Sequence, residues 1–274
     1  MRNPAANRMD DQHRAFTKLF QQNCDRHRPH TVFSDFCEMS AISISNAVDL
    51  AQRDKREARY LQIAATYNRD EMSRFPQMLA CVVEALEGGM HDCLGKLFMA
   101  LELANHWKGQ FFTPWEVCSL MARVTTTDAR DVVKARGFMT VMEPAAGAGA
   151  MVIAIADALH EQGLNYQQCL HATAVDVDET AAHMCYLQLA LLHVPAVVVV
   201  GNSLSLEERG HWLTPAHVLG GWDRRLRERQ AVTDMQALLL PPSASKDEPA
   251  DDVAVEAAPT PSHRPASLVQ ADLF

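Results

Sequence analysis

The segment Val141-Met-Glu-Pro-Ala-Ala-Gly-Ala-Gly-Ala150 constrains the fold more than any other part of the chain. A short apolar run enters a glycine-rich turn and then an apolar helical pattern, so a strand, a tight loop and a helix follow one another directly. The alternation continues downstream. Strands are predicted at 140–143, 171–176 and 196–200, with helices at 149–161 and 179–192 between them. Such alternation marks parallel βαβ units. Ala196-Val-Val-Val-Val200 is apolar throughout, as a strand covered on both faces is, so the sheet reads as parallel and central.

Upstream the periodicity is helical. Phe16, Leu19 and Phe20 share one face, as do Met78, Leu79, Val82, Val83 and Leu86 before the Gly88-Gly89 stop. Three regions are expected: a helical N-terminal domain over 1–106, an α/β cofactor-binding domain over 107–240, and a tail over 241–274. In the tail Pro, Ala, Ser and Asp dominate, and too few bulky side chains remain to offset the entropy of ordering. It is predicted to be disordered.

Charge and cysteine usage limit the function classes. The formal net charge is −9, which disfavours a chain that coats nucleic acid through clustered Lys and Arg. From Pro241 onward six acids face two basic residues, so much of the excess lies in the tail. Asp223-Arg-Arg-Leu-Arg-Glu-Arg229 is the strongest basic patch, read first as a solvated helix face. The seven cysteines are scattered and form no C-x-x-C pair, and the histidines show no H-E-x-x-H spacing, so neither a disulfide framework nor a metal site is expected. No apolar run of membrane-spanning length and no signal-like N-terminus occurs, so a soluble cytoplasmic protein is expected.

Three predicted strand ends carry groups suited to a ligand. Gly147 and Gly149 let backbone approach closely, and the helix beyond offers free N–H groups. A plain tight turn is the competing reading. Asp176 ends the second strand, where nucleoside-binding folds hold ribose hydroxyls; Asp178 reads instead as the cap of the following helix. Asn202 follows the third strand, either as an amide facing a purine or as part of a turn. Open α/β sheets bind ligands at such carboxyl edges.

Gly109-Gln-Phe-Phe-Thr-Pro-Trp-Glu-Val117, some 30 residues before the Glu143-Pro144 loop, resembles the entry signature of the N6-adenine DNA methyltransferases of type I restriction-modification systems. In that family a Gly-Gln-Phe-Phe/Tyr-Thr-Pro segment folds over the methionine end of the cofactor. An Asp/Glu-Pro-x-Cys/Ala-Gly-x-Gly loop then cradles S-adenosylmethionine. The pairing, in this order and spacing, is more specific than either motif, and the resemblance covers roughly 105–205. It implies a Rossmann-like methyltransferase core with a truncated parallel sheet. By position, Thr113 and Pro114 would flank the methionine carboxylate, Phe112 beside them would contact the cofactor, and Glu143 would hold the ammonium. Pro144, Ala145, Gly147 and Gly149 would line the cofactor, Asp176 would bind the ribose, and Asn202 would read the adenine. Ala148 stands where the family has Thr or Ser.

The departure from the family is as informative. No Asn/Asp-Pro-Pro-aromatic tetrapeptide, which receives the flipped adenine, occurs in the sequence. Pro241-Pro242 is the sole Pro-Pro pair and lacks the flanking residues, so catalytic residues are not assigned. Between Gly201 and the tail about 40 residues remain, too few for four further strands. Trp212, His217 and Trp222 in that space are read as core, with a substitute aromatic site as the alternative. The resemblance therefore implies either an adenine-specific DNA methyltransferase acting with a partner or specificity subunit, or a silent cofactor-binding accessory or anti-restriction protein. Finally, Gln270-Ala-Asp-Leu-Phe274 is similar to the peptide that docks bacterial replication proteins on the DNA polymerase sliding clamp, with Gln270, Leu273 and Phe274 as its anchors.

Overall fold

The computed structural model describes residues 4–103 and 112–239. Gly109 to Phe111 of the entry segment, Pro241-Pro242, and the tail with Gln270, Leu273 and Phe274 lie outside the described residues.

The described residues begin with helices α1 (Pro4–Asn23), α2 (Pro29–Ser45), α3 (Arg53–Ala64), α4 (Arg69–Glu87) and α5 (Cys93–Ala100). Their ends follow local chemistry. Pro29 opens α2, where its missing N–H costs nothing. Asn68 and Glu71 form a reciprocal capping box at the start of α4, and the helix ends at Gly88, as the sequence predicts. The apolar faces meet in an aromatic cluster in which Phe16 lies edge-on to Phe36 at 5.2 Å and Phe33 to Phe98 at 5.4 Å. Each of these four rings is at most 1% exposed, which stabilises the packing by about 2 to 3 kcal/mol per ring before entropy is counted.

Helices α6 (Trp115–Thr125) and α7 (Ala129–Arg136) lead into the sheet. There follow β1 (Met139–Glu143), α8 (Ala150–Glu161), the short α9 (Tyr166–Cys169), β2 (Leu170–Asp176), α10 (Glu179–Leu191) and β3 (Ala196–Asn202). The chain then forms β4 (Glu207–Leu213), α11 (Pro215–Leu219) and α12 (Trp222–Leu239). Asp178 caps α10 by accepting from the Ala181 N–H.

Among the described residues the sheet has four strands in the order β1-β2-β3-β4. The pairings β1 with β2 and β2 with β3 are parallel, while β3 and β4 run antiparallel. The expectation of a wholly parallel sheet is thereby corrected. The turn after Asn202 is a hairpin, in which the Asn202 Oδ1 accepts from the N–H groups of Leu204 and Ser205. The pairing shifts register at Gly201, where a Cβ would fall 2.4 Å from the Glu207 carbonyl oxygen. β1 and β4 are thus the two edges.

The described residues up to Gln230 form one compact unit. Within it, α1 packs on α4, α2 on α10 and α6 on α8, and one continuous apolar core runs from Phe16 to Trp212. Trp222 is fully buried, edge-on to Phe138 at 5.1 Å, with the Arg225 guanidinium 3.7 Å from its ring centre. The aromatic residues of this region are core, as read from the sequence. All seven cysteines are free thiols, six of them buried. Among the described residues no helix is long and apolar enough to cross a membrane.

Candidate functional site

The loop between β1 and α8 is shaped by two glycines with different tasks. Gly147 has φ +53° and Gly149 φ +93°, both in the left-handed region. A Cβ on Gly147 would lie 2.9 Å from the Phe112 ring, so this residue leaves room for an aromatic neighbour. A Cβ on Gly149 would lie 2.9 Å from the Cys185 Sγ, so Gly149 permits α8 and α10 to pack closely.

The end of β2 holds the loop in place. Asp176 accepts from the Gly147 N–H through Oδ2 and from the Asp178 N–H through Oδ1, each at 2.8 Å. The Ala146 N–H donates to the Val175 carbonyl at 2.9 Å. Gln188 of α10 joins three elements from a fully buried position. Its Nε2 donates to the Ala148 carbonyl at 2.8 Å and to the Asp92 Oδ1 at 2.9 Å, while its Oε1 accepts from the Leu94 N–H at 3.0 Å. One amide therefore ties the glycine loop to the start of α5.

Above this loop lies a cavity of about 450 Å³, lined by Phe112, Thr113, Met121, Glu143, Ala145 to Ala148, Asp176 and Asp92, with Cys118, Ala150, Met151 and Ala181 completing the wall. Among the described residues its lining contains three carboxylates and no lysine, arginine or histidine. Burial pushes the Asp176 carboxyl above the usual carboxylate range, although hydrogen bonds from Asp178 and Gly147 oppose this. Asp92 is raised for the same reason, against the bonds from Gln188 and Gly95. A cavity of this sign favours a ligand with positive charge and penalises a polyphosphate.

Of the residues singled out in the sequence, Phe112, Thr113, Glu143, Ala145, Gly147 and Asp176 converge on this cavity. Pro144 and Gly149 shape the loop without lining it, and Pro114 starts α6 and faces a neighbouring cavity with Lys96 and Trp115. Asn202 stands apart: it is exposed, caps the β3–β4 turn and is not among the lining residues. Of its two readings, the turn describes where it lies. Asp92 and Met121 are lining residues that sequence reasoning missed. Asp92 carried a signal, since an Asp before the apolar run Cys93-Leu-Gly-Lys-Leu-Phe98 is a helix-cap pattern, but nothing local announces a cavity.

This arrangement coincides with a known sequence pattern. Residues 96–218 match the N-6 DNA Methylase family. The matched segment runs from α5 to α11 and contains the glycine loop, Asp176, the whole sheet and most of the cavity lining. Helices α1 to α4 lie outside the methylase match yet share its core. No curated protein matches the chain. Among solved structures, a chain of a cryoEM DrdV–DNA complex is similar over 74% of this chain at 14% identity, with a TM-score of 0.38. This chain spans 26% of the length of that one.

Proposed function

We propose that the cavity binds S-adenosylmethionine and that the chain serves as an adenine-N6 DNA methyltransferase-like component of a DNA modification system. The observation that carries this reading is the acid-lined cavity over the ends of β1 and β2, inside the segment that matches the N-6 DNA methylases. The residues fit the group: the cofactor has a sulfonium and an ammonium, and Glu143, Asp176 and Asp92 are the charged side chains that meet it. When bound, it supplies an electrophilic methyl group on sulfur. On the chain's side, Glu143 takes the ammonium and Asp176 the ribose hydroxyls through its remaining lone pairs. The first-turn N–H groups of α8 answer the carboxylate. Phe112 and Met121 exclude water from the sulfur end.

DNA with an adenine target is the proposed acceptor, and a partner or specificity subunit is the proposed source of the missing acceptor motif. A second reading, a silent cofactor-binding accessory or anti-restriction protein, is favoured by the absence of the Asn/Asp-Pro-Pro-aromatic tetrapeptide and by β1 standing at the edge of the sheet. The terminal Gln270-Ala-Asp-Leu-Phe274 is proposed as a sliding-clamp anchor under either reading.

Isothermal titration of the full chain with S-adenosylmethionine tests the first step, with Asp176→Ala as the variant expected to lose binding. Transfer of tritiated methyl to unmethylated DNA then separates the readings. Binding with transfer supports an enzyme, and binding without transfer supports the accessory. An unchanged heat of titration in the variant, or none in the parent chain, overturns the cofactor assignment.

A further inference from the structure

Far from the glycine loop in sequence, α1 and the turn before α5 bring His13, His91 and Cys93 together. Their ligand atoms lie within 4.8 Å of one another, the one such group of three or more among the described residues. His13 Nε2 is 3.5 Å from the Cys93 Sγ, close to the ligand–ligand spacing of a tetrahedral zinc site. The two imidazole rings are 6.3 Å apart and inclined at 55°, so they approach one point from different directions.

A second observation points to a ligand. His91 is 6% exposed, and its Nδ1 donates to the Gly89 carbonyl at 2.8 Å, which fixes the tautomer and leaves Nε2 with a bare lone pair. That Nε2 is buried without a hydrogen-bond partner. A backbone carbonyl orienting one imidazole nitrogen while the other turns inward is the usual support for a metal-bound histidine. Left alone, a buried acceptor of this kind is unfavourable.

We infer that His13, His91 and Cys93 form a zinc-class metal site in which two imidazoles and one thiolate leave a fourth position for water or another exogenous ligand. Imidazole combined with thiolate suits zinc over calcium or magnesium, which take oxygen donors. His13 also lines a surface cavity of about 260 Å³. The site would fasten α1 to the first residue of α5, and Asp92, between two of the ligands, lines the cavity above the glycine loop. It depends on no assumption about S-adenosylmethionine. Spacing in the sequence does not announce it, since His13 and Cys93 are 80 residues apart.

The test uses the full chain without a polyhistidine tag, stripped with chelator and titrated with Co²⁺. One equivalent is expected to bind with a sulfur-to-cobalt charge-transfer band and tetrahedral visible bands, and Zn²⁺ is expected to displace it. Cys93→Ser abolishes the charge-transfer band, and His13→Gln weakens binding by more than about tenfold, with circular dichroism confirming that each variant is folded. Absence of a stoichiometric band in the parent chain overturns the site without reference to any variant. Retention of the band in folded Cys93→Ser overturns it as well.

Discussion

Replacing Gln188 with Leu removes one amide and nearly nothing else in volume, yet its three hydrogen bonds join the glycine loop, α5 and Asp92. The Leu94 N–H and the Ala148 carbonyl lose the partner they have here, while Asp92 keeps the Gly95 N–H at 2.8 Å. At about 1 to 3 kcal/mol for each stranded buried group, less about 1 kcal/mol regained by the apolar side chain, the expected loss is about 2 to 4 kcal/mol. With an m-value of about 3 kcal/mol/M, the urea midpoint falls by about 1 M. The loss also depends on pH. Asp92 already has a raised pKa, and losing the Gln188 bond raises it further. The folded variant then binds protons more readily than the unfolded chain, so this part of the deficit is absent below the unfolded pKa and grows as pH rises through the folded one. Urea titrations of both proteins from pH 7 downward are the assay. A midpoint shift under 0.3 M (about 1 kcal/mol), or a deficit that does not shrink on acidification, refutes the reasoning.

Three other outcomes follow from the geometry. Gly149→Ala meets both a left-handed φ and the Cys185 sulfur, so it destabilises the fold by about 2 kcal/mol or more; adding Cys185→Ala restores the steric part and leaves the backbone part, as paired thermal melts will show. Gly147→Ala pushes Phe112 towards the cavity and is expected to weaken S-adenosylmethionine binding by about tenfold or more in calorimetry, while a smaller effect counts against the proposed pose. His171 and His183 are held neutral by burial, with pKa values near 4 against an ordinary 6.5. Their contribution to stability is complete above pH 6.5 and is lost as pH falls towards 4, so His183→Gln flattens the acid limb of the stability curve; an unchanged limb removes His183 from the account.

The sequence made β1, β2 and β3 visible because apolar and β-branched residues recur in them and helical patterns lie between them. β4 was not visible. Glu207-Glu-Arg-Gly-His-Trp-Leu213 has four charged or ionisable residues and no β-branched one, and it forms a strand because β3 offers a partner across a tight hairpin. Such a charged edge suits a sheet margin, where unpaired backbone invites aggregation. Glu143, Gly147 and Asp176 could be read as a site because strand ends fix where they meet. Asp92 could not, since its place over the glycine loop depends on Gln188, 96 residues away. The histidine–cysteine cluster escaped for the same reason: periodicity reports neighbours along one element, and these contacts join separate ones.

The position of β1 affects how the loop behaves over time. A strand bonded along one side keeps half of its peptide groups turned away from the sheet, and β1 anchors the loop that lines the cavity. Edge strands fray, and their amides exchange with solvent through local openings that leave the remaining fold intact. The loop is held against this by the Asp176 and Gln188 bonds, which come from β2 and α10 and not from β1 itself. A ligand spanning Glu143 and Asp176 would therefore act as a clasp between β1 and β2. Part of its binding energy goes into silencing that breathing, and deuterium uptake at 139–147 slows on binding more than anywhere else in the sheet.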